Sequence, residues 1–286
     1  MNTKNNKTRE MYNKIVDGVV AILDSNSYKN FLKFGSKFHG YSFSNQILIF
    51  TQMEDATHVE GFKTWQKMGR KLKKGEKGIQ IFYPIKKKYS NSIEGQDSLL
   101  IDTEKENNKK QDTYEYIYFR PTYVFDVSQT IGDPIPTEDR TLDSNNMIDF
   151  FEFLKLYCQY KIIEKDDIGS AKGYFSPSKN QIVLKKNLSI DDKVSVLLHE
   201  LTHAIYDDFN YSENREQSEI FVESVAYIVS NYFGLDTSEC SFNYISFWSK
   251  GDIKEILSLG NKIQKTANDF ISNLEREFSN SNIRIS

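Results

Sequence analysis

Two histidines four residues apart are the feature of this sequence best suited to chemistry. They belong to the run His199-Glu200-Leu201-Thr202-His203, an H-E-x-x-H pattern. On a helix both imidazoles project from one face, one turn apart, so they can bind one Zn²⁺. Glu200 lies beside them and can serve as the base for a zinc-activated water. The pattern predicts a zinc metallopeptidase-type site, with His199 and His203 as ligands and Glu200 as the catalytic residue.

The alternative is a buried helix whose histidines are hydrogen-bonded within the core. That arrangement would bury Glu200 between two histidines without a metal, which is costly.

A catalytic zinc needs a third protein ligand, and acids in the next helical segment are the candidates. Glu216, Glu219 and Glu223 share one helical face. Apolar neighbours predict that this helix is mostly buried, so its acids need partners; a solvated charged face is the alternative. Glu219 and Glu223 are one turn apart, so that one can bind the metal while the other accepts a hydrogen bond from a ligating histidine. Asp207, one turn past His203, is a weaker candidate.

The elements that would carry these residues are mainly helices. Apolar periodicity predicts a helix over 145–160 and helices through most of 191–277, with Ser189 capping the helix of the H-E-x-x-H pattern. Three short strands are predicted between these helical stretches, at 162–164, 173–176 and 181–184.

The first half of the chain mixes helices and strands. Helices are predicted near the start, over 28–38, and from a cap at Ser42 or Ser44. A strand at 79–84 should pair with one at 114–127, across a polar loop at 89–112 that is predicted to be mobile. With a linker at 132–136, the fold class is α+β in two domains, residues 1–130 and 138–286, the second mostly helical with a small sheet.

Charge divides the chain in the same place. Residues 1–137 hold 21 Lys+Arg against 16 Asp+Glu, a net +5, and the remainder carries −8. Ten basic residues and one acid fall within 63–88, a density that favours contact with nucleic-acid phosphates. Interleaved aromatic residues could stack on unpaired bases, or they could belong to the core. The predicted DNA-binding residues are Lys63, Trp65, Lys67, Arg70, Lys71, Lys73, Lys74 and Lys77.

Composition excludes several classes of protein. Hydrophobic residues make up 38% and charged residues 27%, which is a composition that folds. Apolar runs long enough to span a membrane are lacking, so no membrane partner is expected. Two cysteines cannot form a disulfide framework, which makes a reducing cytoplasm the expected location.

Several short strings carry a family resemblance. In the first half these are YSFSNQILI at 41–49, GFKTW at 61–65, GR at 69–70, KGEKG at 74–78 and FDVSQT at 125–130. In the second half they are ESVAY at 223–227, FGLD at 233–236 and IQKTA at 263–267. Together they resemble the ArdC-type antirestriction proteins, over nearly the whole chain. The resemblance implies a single-stranded-DNA-binding N-terminal domain, a C-terminal zincin-like metallopeptidase domain, and carriage by a conjugative or other mobile element.

The metal site also resembles that of zincin peptidases with a glutamate ligand, whose second helix carries E-x-x-x-(D/E). That resemblance gives Glu219 the ligand place, and Glu223 the neighbouring place in support of a ligand. It implies a gluzincin-like hydrolase that uses Zn²⁺.

Three functions compete at this point. The favoured one is an accessory protein that coats incoming single-stranded DNA and also carries the peptidase-type site. A second is a repressor-cleaving protease of the ImmA/IrrE kind, with a protein substrate and a basic domain that only localises it to DNA. The third is a non-enzymatic single-strand binder with structural zinc, against which the intact Glu200 argues, because a structural site needs no base.

Overall fold

A computed structural model of the 286-residue chain describes residues 3–23, 25–90, 113–135, 144–207, 211–235 and 252–280. Most of the loop predicted at 89–112 lies outside these ranges, and so does Asp236 of the FGLD string.

Three helices open the chain. They are α1 (Thr3–Ala21), α2 (Ser25–Lys37) and α3 (Phe43–Gln52). Helix α1 buries one face through Met11, Ile15 and Val19, the spacing of a single helical stripe. Helix α3 begins after Ser42, whose hydroxyl accepts the backbone N–H of Asn45 at 3.4 Å, so Ser42 rather than Ser44 is the cap.

The first sheet is built around one long hairpin. Strand β3 (Ile79–Ser90) pairs antiparallel with β4 (Thr113–Asp126), and β1 (Val59–Gly61) pairs with the other edge of β4, giving the order β1-β4-β3. The pairing of the two predicted strands is confirmed, but β3 continues six residues beyond the predicted end at residue 84. Between these strands lie the short helix α4 (Phe62–Lys67) and β2 (Lys71–Leu72), which pairs with β5 (Thr130–Ile131).

The second half begins with α5 (Ser144–Tyr157) and a small mixed sheet. Strand β8 (Gln181–Lys185) lies between β6 (Lys161–Lys165), which is parallel to it, and β7 (Gly173–Ser176), which is antiparallel. Three long helices follow: α6 (Ile190–Tyr206), α7 (Tyr211–Tyr232) and α8 (Ile253–Asn280). Helix α7 packs against both α6 and α8.

One buried cluster joins the two halves of the chain. Met11 and Phe43 from the first three helices belong to the same core as Phe221 of α7 and Phe270 of α8. Helix α2 also packs directly on α7. The architecture is α+β, as predicted. The domain boundaries at 130 and 138 remain a prediction, and the first three helices pack across them.

Within the ranges that the structure describes, none of the helices combines the length and the apolar character needed to cross a bilayer.

Candidate metal centre and basic surface

Helix α6 carries the two histidines, and its sequence explains where it begins and which face it buries. The Ser189 hydroxyl accepts the N–H of Asp192 at 3.1 Å and caps the helix. Val194, Leu197 and Leu201 are fully buried on one face. This apolar stripe packs α6 into the core. His199 and His203 lie beside the stripe on the same helix and remain partly exposed.

Glu219 of α7 meets both imidazoles. Its Oε2 lies 3.9 Å from Nε2 of His199 and 3.8 Å from Nε2 of His203. One ligand atom from each of the three residues lies within 4.8 Å of the other two. Ligand atoms bound tetrahedrally at about 2.0–2.2 Å are roughly 3.3–3.6 Å apart, so one divalent ion fits after a small inward movement. The three residues are a donor set suited to such an ion.

Asp207 lies behind the cluster rather than in it. Its Oδ2 is 2.9 Å from Nδ1 of His203 and also accepts the Ser218 hydroxyl at 2.5 Å. Because a carboxylate oxygen accepts, Nδ1 of His203 carries the hydrogen and donates a hydrogen bond to Asp207. The lone pair of Nε2 then faces Glu219, where an ion would bind. The sequence predicted Asp207 as a weaker ligand, whereas the geometry makes it the residue that orients one.

Glu200 is 7% exposed and adjoins the three-residue cluster. Burial raises its pKa to about 7, although the nearby His203 and a hydrogen bond from the Phe175 backbone of β7 oppose the rise. A carboxylate with a pKa near neutrality is suited to taking up and releasing a proton.

The two histidines differ in their electrostatics. Burial lowers the pKa of His199 to about 4, and the neighbouring His203 adds to the decrease, so His199 is neutral at pH 7 and free to bind a cation. Burial also acts to lower the pKa of His203, but the nearby carboxylates of Glu219 and Asp207 outweigh it and raise the pKa above the usual value.

Glu223 lies one helical turn past Glu219, outside the cluster. Its Oε2 is buried and has no hydrogen-bond partner among the described residues. Burial, followed by the charge of Glu219, raises its pKa to about 7. The geometry thus brings Glu219 to the imidazoles, while Glu223 borders the site and Glu216 is exposed.

Only some of the predicted DNA-binding residues lie on the protein surface. The lysines Lys63, Lys67, Lys71, Lys73, Lys74 and Lys77 are exposed. Trp65 is completely buried, and its Nε1 donates to the Phe125 carbonyl at 2.8 Å. The prediction of Trp65 as a DNA-binding residue is therefore wrong: a ring enclosed in the core cannot stack on a base.

Arg70 is a second correction in this segment. It is 8% exposed, its Nε donates to Thr130 Oγ1 at 2.7 Å, and its guanidinium also bonds the Asp133 carbonyl and lies 5.9 Å from the Trp65 ring centre. These contacts fasten α4 to the segment after β4. Arg70 holds the fold together here rather than offering its charge to a phosphate.

Helix α3 supplies polar contacts to β3 that sequence reasoning missed. Asn45 donates to the Phe82 carbonyl at 2.9 Å and accepts the Phe82 N–H at 2.8 Å. Gln52 makes the same two contacts with Gln80, at 2.9 and 3.0 Å. These side chains satisfy the free edge of β3 as a neighbouring strand would. Amides within an otherwise apolar helix were the signal that could have revealed this role.

Two residues of the string at 125–130 make hydrogen bonds that hold neighbouring segments, including the turn at 74–78. Asp126 accepts backbone N–H groups from Thr57, His58 and Ser128 at 2.8–3.0 Å. Gln129 donates to the Lys77 carbonyl and to Glu76, both at 2.9 Å. The contacts brace the turn that presents the exposed lysines.

Comparison with known proteins agrees with the resemblance seen in the sequence. The family model described as the N-terminal domain of anti-restriction factor ArdC matches residues 3–125. The first half of this chain therefore contains an ArdC-type N-terminal domain.

Solved structures extend the likeness to most of the chain. The metal-free crystal structure of antirestriction protein ArdC from plasmid R388 is 18% identical, with a TM-score of 0.56, covering 84% of this chain and 86% of that one. The Mn(II)-bound form is 17% identical, with a TM-score of 0.52 and the same coverage. At these identities the likeness shows the fold.

A relative in Bacillus anthracis, the uncharacterised protein pXO2-81, is 26% identical over 311 aligned residues. The alignment takes in 96% of this chain and 52% of that protein, so the chain spans about half the length of its relative.

Proposed function

We propose that this protein is an ArdC-type antirestriction accessory factor of a mobile element, which binds single-stranded DNA and holds a divalent ion at a peptidase-type site. The antirestriction role is inferred from the names of the matched ArdC family and R388 protein. The convergence of His199, His203 and Glu219 beside Glu200 carries the proposal of a peptidase-type metal site.

The residues around the site divide into distinct roles. His199, His203 and Glu219 would hold the ion. A bound divalent ion would lower the pKa of a water molecule and polarise a scissile carbonyl. Glu200 would accept the proton of the attacking water and pass it to the leaving amine. Burial of Glu200 favours this exchange, because it keeps the pKa of the carboxyl near neutrality.

The identity of the ion follows from donor chemistry. Two imidazoles and one carboxylate are the ligand set of catalytic zinc sites, and zinc is our proposal. The R388 protein has been crystallised with Mn(II), so manganese is the ion to compare with it.

Single-strand binding is supported by exposed charge. Six lysines of the segment 63–77 are exposed, and the turn at 74–78 that bears some of them is braced by Gln129. Lysines held on the surface in this way can neutralise phosphates with release of counterions.

Two measurements on one set of variants test the proposal. Metal content after purification should be close to one ion per chain in the wild type and in Glu200→Gln, and should be lost in His199→Ala. Transfer of an unmodified plasmid into a restricting host should be aided by the wild type. If the wild type neither holds metal nor aids transfer, the proposal is wrong.

Glu200→Gln separates the enzymatic functions from the structural one. If protection survives in Glu200→Gln and cleavage of a partner protein is lost, proteolysis is a second activity. If Glu200→Gln loses both, proteolysis is the means of protection, as a repressor-cleaving enzyme would require. If neither changes, the ion is structural.

A further inference from the structure

We propose that the outer part of the β3–β4 hairpin is a stacking platform for unpaired nucleotides. The platform consists of Tyr83, Lys87, Tyr116, Tyr118 and Arg120. The inference rests on the single-strand binding proposed above and locates it on a strand pair, away from the buried Trp65 and Arg70.

Strand register places all five side chains on one face. Tyr83 is paired with Arg120, Ile85 with Tyr118 and Lys87 with Tyr116. Paired residues in an antiparallel ladder point to the same side, and alternate residues along each strand share that side. Ile79 and Ile81, farther back on the same face, are buried. The inner part of this face therefore belongs to the core, and its outer part carries the tyrosines of the platform.

Contacts organise these side chains around Tyr118. The Nζ of Lys87 lies 5.6 Å from the centre of the Tyr118 ring, and the Cζ of Arg120 lies 5.2 Å from it. The Tyr116 ring centre is 5.8 Å away, tilted by 38°. A partly exposed ring is thus flanked by two cations and a second ring, which sets stacking faces beside charges that can meet a phosphate.

Two rings of the platform are open to a ligand. Tyr83 is 59% exposed and Tyr116 is 43% exposed. The opposite face also exposes Phe119 and Tyr123, so the platform is distinguished by the two cations beside the Tyr118 ring rather than by exposure alone.

The charge of the platform face indicates which class of ligand it binds. The described side chains of this face carry two positive charges and no carboxylate. Asp126, the acid near the base of β4, is buried and held by backbone N–H groups. A polyanion with planar groups matches this surface. Extended single-stranded DNA has both features, whereas the bases of a duplex are stacked on each other and hide their faces.

The opposite face of the same hairpin supplies matched controls. Tyr123 is 52% exposed and is paired with Gln80, and this pair lies on the face opposite the platform. Lys86 is exposed and paired with Ile117. Each has the residue type and strand of a platform member but points to the other side.

The decisive experiment measures binding of a fluorescein-labelled oligodeoxythymidylate by anisotropy. The probe is longer than the roughly 4–16 nucleotides that a single-strand-binding module covers. Tyr83→Thr combined with Tyr118→Thr should weaken binding by about tenfold or more, since each stacked base contributes about fivefold to 150-fold. Tyr123→Thr should stay within about twofold of the wild type. Threonine favours strands, so the hairpin should persist, as circular dichroism can verify.

Charge variants test the platform without removing a ring. Lys87→Gln combined with Arg120→Gln should reduce the slope of log K against log salt by about 0.7 for each phosphate that these side chains neutralise in the wild type. Lys86→Gln should leave the slope unchanged. If the double tyrosine variant fails to fold, this comparison decides.

The outcomes separate the two proposals. If the wild type binds the oligonucleotide and the platform variants bind equally well, the platform is wrong and single-strand binding stands. If a duplex of the same length binds as tightly as the single strand, stacking on unpaired bases is wrong. If the wild type does not bind the probe, both proposals fall.

Discussion

The Nδ1 atom of His203 lies 2.9 Å from Oδ2 of Asp207, at the end of the same helix. The contact fixes the ring tautomer and turns Nε2 toward Glu219, 3.8 Å away. The Ser218 hydroxyl, on α7, donates to the same carboxylate oxygen. One carboxylate thus links the helix that carries the histidines to the helix that carries the third ligand.

We expect Asp207→Ala to weaken divalent-metal affinity by about 10–100-fold, because His203 loses the acceptor that orients it. Competition with a chromophoric chelator measures the change. Asp191→Asn, an exposed acid in the first turn of α6, is the control and should leave affinity unaltered. Equal affinity in Asp207→Ala and wild type would show that the hydrogen bond does not position the ring.

Glu219 and Glu223 should differ sharply as ligands. Glu219→Gln should abolish stoichiometric binding, because its carboxylate is the one within 3.9 Å of both imidazoles. Glu223→Gln should retain the ion and should not lower stability near neutral pH, since a neutral amide replaces a carboxyl whose pKa burial has raised to about 7. Metal content by mass spectrometry and thermal melting of the metal-free protein give the two readouts. The reverse pattern would exchange their roles.

Asp126 should make the free energy of unfolding depend on pH in the acid range. Burial acts to raise its pKa, but three backbone N–H donors outweigh it and hold the pKa below the usual value. Its folded pKa is therefore lower than its unfolded pKa, so its contribution is complete above about pH 4 and is lost as pH falls further. Asp126→Asn should cost about 1–2 kcal/mol at neutral pH. Urea denaturation at several pH values should show the difference shrinking below about pH 4; a constant difference would exclude this origin.

Gly260 tests the contact between the first helices and α8. A Cβ at this position would lie 2.4 Å from the Phe43 ring, which is buried. Alanine favours a helix by about 1 kcal/mol over glycine, yet Gly260→Ala should destabilise by about 1–3 kcal/mol through overpacking. Ser258→Ala, exposed on the same helix, is the control and should be neutral or slightly stabilising. Denaturation monitored by fluorescence would show the opposite order if α3 and α8 do not pack this closely.

Structural features that depend on local periodicity could be predicted from the sequence. The placement of His199 and His203 on one helical face needs only four residues of regular helix, and Ser189 marks where that helix begins. Pairing of β3 with β4 follows from two strand-forming runs joined by one polar segment. Some polar residues of the family strings, such as Gln129, make hydrogen bonds within the fold.

What depends on how elements pack was decided only in three dimensions. Four acids, Asp207, Glu216, Glu219 and Glu223, were candidate ligands by spacing, and the crossing of α7 over α6 brings Glu219 to the imidazoles. Trp65 lies among exposed lysines in sequence but is enclosed once β4 passes beneath α4. Neither result follows from local spacing, because helix crossing and burial are set by contacts between residues far apart in the chain.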